Sequence, residues 1–525
     1  MDREATAREL ATDPILESML PARMARNTGS NLAGRLIPMI GSFLVTPFVL
    51  AVLGPSDYGL WVLLGAVAGY GWLLDFGIGS AVTKFVAEQA ARGQEQAVRR
   101  TVASALWLYA GLGLATCLLG AVMAPLAGDV FHVAPDQRPA VVWLTFLMAL
   151  SVAIGLAFSP TTAVLRGLQR FGLSNLLAGG GALAALAANV AVLAAGGGLG
   201  ALVTTNVIVT LASQLVALWI CRRVAPELGI GWHRPDPAVA RHLLAFSAPV
   251  FVVQLAGRLQ FQTDGLVIGA FLAIGSLTPY SLAQRLAGLA TVPAQAFSGV
   301  LLPVASELSA LDDGRVGLRA LYLFATRVTL ASLMAAGIVL LMLAGPILRL
   351  WVGASYAGAT DLVAILTIAT IVDTSLWPTG YILQGMARHR PVAAIALGSG
   401  LANLILSMLL VQTIGLRGVA LGTLVPTGIE AAAFVIPLAV RELRIQAGDL
   451  VREVLVPGLA PAALSALLLA FLDRSFDLAS LPALIAAGGL ALAVYALAYF
   501  GLDATRIERR LCLDAARHVA AWLHS

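Results

Sequence analysis

Fourteen apolar runs, each near the roughly 20 helical residues needed to cross a bilayer core, limit what this chain can become. They fall at about 28–53, 57–80, 102–127, 139–164, 173–196 and 199–221, then 243–272, 277–303, 321–345, 359–384, 392–413 and 416–440, and finally 454–472 and 481–502. Only 12% of the residues are charged and the mean hydropathy is +0.88, whereas soluble domains carry roughly 25% charged residues. The expected fold is all-α: one polytopic membrane protein of about fourteen transmembrane helices.

The runs divide the chain into a polar leader (1–27), an N-lobe of six spans (28–221), a linker (222–242), a C-lobe of six spans (243–440), a terminal hairpin (441–502) and a tail (503–525). The tail alternates Arg506, Arg510 and Arg517 with Leu513 and Trp522, the pattern of an amphipathic helix on a membrane surface. The net charge of +5 could suggest nucleic acid, but its distribution argues otherwise. Of 33 lysines and arginines, 26 fall on the side of the N-terminus, and four (Arg138, Arg349, Arg417 and Arg474) fall opposite. Such an asymmetry predicts cytoplasmic termini. It makes the basic surplus a topology signal.

Few cofactor motifs survive inspection. Cys117, Cys221 and Cys512 form no CxxC, so neither a disulfide framework nor a zinc site is indicated. The single lysine, Lys84, follows no glycine-rich loop, so a Walker A phosphate loop is absent. The histidines at 132, 233, 242, 389, 518 and 524 are expected in loops or the tail and lack metal-ligand spacing. No cofactor is expected.

The chain is duplicated. Leu32–Leu36 and Leu255–Leu259 both read LAGRL, placing Arg35 and Arg258 in the first helix of each lobe, 223 residues apart. Phe85-Val86-Ala87-Glu88 aligns with Pro303–Glu307. Pro160, Thr161, Leu165, Gly167 and Arg170 recur as Pro378, Thr379, Leu383, Gly385 and Arg388 at a constant offset of 218. Each repeat holds an even number of spans, so both enter the membrane from one side. Parallel repeats of this kind are transporter architecture, with a substrate site between the lobes.

Charge inside the spans marks the candidate site, because ionisable groups in hydrocarbon are costly and usually face a bundle interior or a wet cavity. The stretch Gln254–Asp264, QLAGRLQFQTD, is the densest case. Arg35, Arg258 and Arg285 are the arginines within spans; Asp75, Asp264, Asp373 and Glu430 are the carboxylates. In the eighth span Tyr280, Ser281, Gln284, Gly288, Thr291, Gln295 and Ser298 form one polar stripe at helical spacing, with Arg285 at its edge and a kink expected at Pro293. Counting from the turn near Pro55 puts Arg35 and Asp75 at one depth, able to neutralise each other. The repeat mate of Asp75 is Gln295, so Arg258 is expected to face a wet cavity or a visiting anion.

The run Leu53–Glu88, LGPSDYGLWVLLGAVAGYGWLLDFGIGSAVTKFVAE, and the LRGLQRF turn after the fourth span resemble bacterial polysaccharide-export flippases of the multidrug/oligosaccharidyl-lipid/polysaccharide exporter superfamily. The resemblance covers nearly the whole chain. It implies two lobes in a V around a cavity open to alternate sides, in the bacterial inner membrane. The implied cargo is an undecaprenyl-diphosphate-linked oligosaccharide moved from inner to outer leaflet for surface polysaccharide export. Under this reading Arg258, with Arg35 or Arg285, binds the diphosphate, since a guanidinium fork suits phosphate oxygens. Gln254, Gln284 and Gln295 then contact cargo, and Asp264, Asp75, Asp373 and Glu430 serve coupling or gating to protons or sodium. A polysaccharide polymerase and a chain-length regulator are the implied protein partners of a monomeric carrier.

Three alternatives stay open. The terminal hairpin also resembles that of lipid II flippases of the MurJ type, in which arginines of the first, second and eighth spans act; Arg35 and Arg285 match two of these and the second span has none. Cation-coupled multidrug antiporters are further relatives. A membrane glycosyltransferase or polymerase would need a sizeable outer loop, and connections such as Gly54–Ser56 and Gly196–Gly198 are too short for one. A carrier is expected rather than an enzyme.

Overall fold

The computed structural model describes residues 14–131, 138–226, 231, 233–311 and 314–503, with side chains from Pro38 to Gly501 except at 248–250, 252, 253, 256, 260, 261, 296, 297, 299, 300, 314 and 389. The leader before Pro14, the tail beyond Asp503 and the Arg35 side chain lie outside the described residues. Every regular element among the described residues is helical. By contact the chain forms two compact units, one of Gly34–Ser281 with Gly400–Val419, the other of Leu282–Ser399 with the described parts of Met1–Ala33 and Ala420–Ser525.

In the first unit α1 (Pro14–Gly71), which belongs to it from Gly34 on, is interrupted at Gly54, whose φ of 76° and ψ of 171° suit a residue without a Cβ. The helix is kinked there, where the turn between spans one and two was expected. Beyond Gly71 the helix tightens into a 3₁₀ turn, Trp72–Asp75, and breaks at Phe76 (φ 49°) and Gly77 (φ 78°). Then follow α2 (Ile78–Ala91), α3 (Glu95–Val130), α4 (Arg138–Gly167), α5 (Phe171–Ala194) and α6 (Leu199–Val224). Next come α7 (Pro237–Phe261) and α8 (Thr263–Phe271), separated by a break at Gln262. Asp236 caps α7 by accepting from the Ala238 and Val239 amides, with Pro237 following it. The cap orients α7 so that it packs on α2 and α3.

The core of this unit joins Ile78, Val82 and Val86 of α2 to Val102 of α3 and Leu156 and Val164 of α4. Apolar burial drives little association in lipid, so close backbone approach through small residues matters more. Gly113 and Gly120 of α3 sit against Ala153 and Ala149 of α4 in that way.

The second unit contains α9 (Leu277–Gly288) from Leu282 on, a 3₁₀ turn Leu289–Thr291, α10 (Val292–Ser309), α11 (Gly314–Val352), α12 (Thr360–Ser375) and α13 (Trp377–Gly385). It continues with α14 (His389–Ile414) as far as Ser399, α15 (Leu416–Ile429) from Ala420, α16 (Ile436–Leu443), α17 (Val456–Ser475) and α18 (Leu481–Ala498). The 39-residue α11 is its spine, packed on α12, α17 and α18. The terminal hairpin is tied by polar contacts: Tyr495 Oη donates to Gly458 O (2.9 Å) and Ser465 Oγ to Ala491 O (3.0 Å).

The sequence repeat is also a structural one. After α4 the Arg170 amide donates to Leu165 O (2.8 Å), with Gln169 at φ 61°. After α13 the Arg388 amide donates to Leu383 O (2.7 Å), with Ala387 at φ 58°. Both helices therefore end in the same left-handed turn. Just before it, Gly167 packs on Val86 and Thr83 of α2, and Gly385 on Ala305 and Ser306 of α10. The second span of each repeat is broken by a 3₁₀ turn, at Trp72–Asp75 and at Leu289–Thr291, the latter just before the expected kink at Pro293.

Eleven helices among the described residues are long and apolar enough to cross a membrane, against the fourteen expected. Expected spans one and two fall within one such stretch, Pro38–Asp75, bent at Gly54. Expected spans seven and eight are interrupted at Gln262 and at Leu289–Thr291, and both contain residues outside the described side chains, so neither is among the eleven.

Candidate functional site

Two of the helix breaks meet inside the first unit. α7 ends because Gln262 adopts φ −122° and ψ −3°, which frees carbonyl groups that must find donors in an apolar setting. Thr263 Oγ1 donates to Leu259 O (2.7 Å), committing its proton. The Tyr70 hydroxyl of α1 lies 2.6 Å from Thr263 Oγ1 and donates to Arg258 O (3.3 Å), which also accepts from the Gln262 amide (2.9 Å). Opposite, Asp75 closes the 3₁₀ turn: its Oδ2 accepts from the Gly77 amide (3.1 Å), and its Oδ1 accepts from the Tyr109 hydroxyl of α3.

Between these breaks lies a cavity of about 530 Å³. Trp72 and Asp75 contribute from the 3₁₀ turn, and Gly79 and Ser80 from the first turn of α2. Ser159, Thr162, Ala163 and Arg166 line it from α4, and Gln254, Gly257, Arg258 and Gln262 from the broken α7. Ser159, Thr162 and Arg166 continue a stripe that starts at Gly155, a spacing that keeps all four on one helix face. Gly69 admits the α7 side chains to the α1 backbone: a Cβ there would collide with Gln262 Oε1 and lie 3.6 Å from Arg258 Nη1. Gln262 Oε1 is buried and has no hydrogen-bond partner among the described residues.

The cavity can hold an anion. Two guanidinium groups face it, and so does the start of the 14-residue α2, where backbone amides and the helix dipole favour negative charge. Asp75 is the opposing carboxylate, already turned toward Tyr109 and Gly77.

Of the residues expected from sequence, Arg258, Gln254 and Asp75 share this cavity. The side chain of Arg35 lies outside the described residues, and the donors to Asp75 are Tyr109 and Gly77. Asp264 is buried next to the break and accepts from the Tyr280 hydroxyl at 2.6 Å. Arg285, Gln284, Gln295, Asp373 and Glu430 belong to the second unit. There Gln295 Nε2 donates to Thr291 Oγ1 (2.8 Å) and Trp377 Nε1 to Asp373 Oδ2 (3.2 Å). Glu430 is buried at the start of a π-helical turn, Glu430–Val435, a form of distortion frequent at functional sites. It lies close enough to Asp373 for their charges to interact.

The polar stripe of the eighth span is only partly wet. Tyr280, Ser281 and Ser298 are buried, and the two serines bond carbonyls of their own helices, while Gln284 is exposed. His242 is not in a loop but on α7, its ring 4.7 Å from that of Phe85.

Sequence reasoning missed Arg166, Trp72, Ser159 and Thr162. Arg166 counts as a loop cation by position, yet it closes the last turn of α4 and reaches the cavity. The helical spacing from Gly155 was the available signal.

The whole chain has relatives. It is 22% identical over 513 residues to EpsK of Bacillus subtilis (strain 168), an uncharacterised membrane protein, covering 94% of this chain and 97% of that one. The fold is that of the lipid II flippase MurJ in an inward closed conformation, with a TM-score of 0.70 and 15% identity over 90% of this chain and 98% of that one. An inward-facing multidrug resistance MATE family transporter of the MOP superfamily matches with a TM-score of 0.62 and 15% identity, over 84% of this chain and 99% of that one. Residues 24–309, more than half of this multi-pass membrane protein, match the polysaccharide biosynthesis protein family, and the chain belongs to that family.

Proposed function

We propose that this protein is a flippase that carries an undecaprenyl-diphosphate-linked oligosaccharide from the inner to the outer leaflet of a bacterial inner membrane. It works by alternating access, without chemistry on the cargo, and with both termini cytoplasmic. The observation that carries the proposal is the grouping of Arg258, Arg166 and the start of α2 around one cavity within apolar helices. Membership in the polysaccharide biosynthesis family and the MurJ-like fold support it. Arginine binds phosphate oxygens bidentately, and a diphosphate offers enough oxygens for both guanidinium groups. The broken helices around the cavity match the way secondary transporters bring half-helix ends to their cargo.

Asp75 would balance the cavity when empty. Asp264, Asp373 and Glu430 are proposed for coupling to protons or sodium, or for gating, with Arg35 or Arg285 joining Arg258 on the diphosphate in one of the two access states. Gln254, Gln284 and Gln295 would contact the glycan.

The test is reconstitution of the purified protein in proteoliposomes holding an undecaprenyl-diphosphate-linked sugar, with an impermeant enzyme outside that modifies sugars only on the outer leaflet. Protein-dependent access to the inner-leaflet pool is expected. Access equal to that in protein-free vesicles, for every glycan and ion gradient tried, would contradict the proposal.

A further inference from the structure

We propose that the Trp72–Gln262 end of the cavity is a glycan subsite, which holds the first sugar next to the diphosphate. This rests on the function proposed above. An ionised diphosphate only accepts hydrogen bonds, and Arg258 and Arg166 supply donors for it. The Gln262 side chain lines the same cavity, and its Oε1 is an acceptor tucked against Gly69 of α1 without a partner among the described residues. A buried acceptor left unmatched is costly, and a turn of the amide into the cavity would offer it to a donor that neither a diphosphate nor an isoprenoid tail can supply. A ring rich in hydroxyl groups can. The Asp75 carboxylate, with about four lone-pair sites, accepts from Tyr109 and Gly77 and keeps capacity for a further hydroxyl.

Trp72 adds the second, independent observation. It is 39% exposed although it stands at the helix break. The benzo edge of its indole is braced against Gly155: a Cβ there would come within 2.7 Å of Cη2 and 2.9 Å of Cζ2. The ring is thus held at its edge while part of its surface meets the cavity. A fixed aromatic surface beside hydrogen-bond acceptors suits a pyranose, whose C–H face is apolar and whose hydroxyl rim is polar. From Gly155 the α4 stripe then runs through the hydroxyls of Ser159 and Thr162 to Arg166. The cavity therefore sets an aromatic surface and acceptors beside its cations. Its volume of about 530 Å³ falls within the roughly 300–1,000 Å³ of small-ligand sites.

The experiment measures binding of full-length protein in nanodiscs to three probes: undecaprenyl diphosphate, and the same lipid diphosphate bearing one hexose or one N-acetylhexosamine. The unaltered protein should bind at least one glycosylated probe roughly three- to tenfold more tightly than the bare one. Trp72→Ala and Gln262→Leu should each shrink that gap to less than about twofold, and Trp72→Phe should keep most of it. Retained binding of the bare probe shows that the variants are folded. Equal binding of all probes by the unaltered protein would overturn the proposal. So would a gap that survives both substitutions, or variants that weaken the bare and glycosylated probes alike. Failure of the diphosphate reading has a separate signature: Arg258→Ala would leave binding of the bare probe unchanged.

Discussion

The hydroxyl of Tyr70 reaches across 188 residues of sequence to the carbonyl oxygen of Arg258, at 3.3 Å, and lies 2.6 Å from Thr263 Oγ1. These contacts tie α1 to both sides of the break at Gln262, next to the backbone that carries the Arg258 guanidinium. Tyr70→Phe should cost about 1 kcal/mol, the usual net worth of such a bond, and lower the thermal midpoint of the purified protein. It should also weaken binding of undecaprenyl diphosphate, because the Arg258 backbone loosens. Unchanged stability and binding would show that the break holds without this contact.

Asp264 and Tyr280 are 3% and 2% exposed and meet at 2.6 Å. A buried hydrogen bond to a charged group contributes about 1.5–3 kcal/mol, so Tyr280→Phe should destabilise more than Tyr70→Phe. Adding Asp264→Asn should recover part of the loss, because a neutral amide suffers less from the missing donor. A double variant less stable than the sum of the two singles would contradict this account, as read from thermal unfolding in detergent.

The repeat turns make matched predictions. A Cβ on Gly167 would stand 2.8 Å from Val86 Cβ and 2.9 Å from Thr83 O; on Gly385 it would stand 2.7 Å from Ala305 Cβ and 3.0 Å from the Ser306 amide nitrogen. Neither neighbour is the free end of a flexible chain. Gly167→Val and Gly385→Val should each cost about 1–3 kcal/mol from overpacking. Gly172→Ala, with open space around it, serves as the control. Loss of monodisperse protein in size-exclusion chromatography is the measurement.

The proposed orientation is checked by cysteine labelling from outside intact cells. Residues substituted by cysteine at Arg92 and Arg444 should stay protected, and those at His132 and Phe476 should label. Labelling at Arg444 would reverse the charge-based assignment.

Much of this fold could be read from residue spacing alone. The offset of 218 between Gly167 and Gly385 reappears as one turn geometry at Gln169 and Ala387. The density of polar groups in Gln254–Asp264 anticipated a special segment, and α7 breaks inside it at Gln262. Hydropathy could not reveal the break at Trp72–Gly77, because Trp72, Leu73, Leu74 and Phe76 keep the run apolar while Phe76 and Gly77 turn left-handed. Arg166 was hidden for the opposite reason. It lies at a span end among basic loop residues, and only the packing of α4 beside α2 turns its face to the cavity that α7 also lines. The expected pairing of Asp75 with Arg35 lies outside the described side chains; the donors that depth alone did not show are Tyr109 of α3 and the Gly77 amide.

The most direct test of the central claim is export of surface polysaccharide by cells that lack their own copy of this protein and carry variants at matched protein levels. Arg258 faces the cavity and is assigned the diphosphate, for which a lysine cannot reproduce bidentate geometry. Arg258→Ala should abolish export and Arg258→Lys should clearly impair it. Export by the alanine variant equal to that of the unaltered protein would contradict the account.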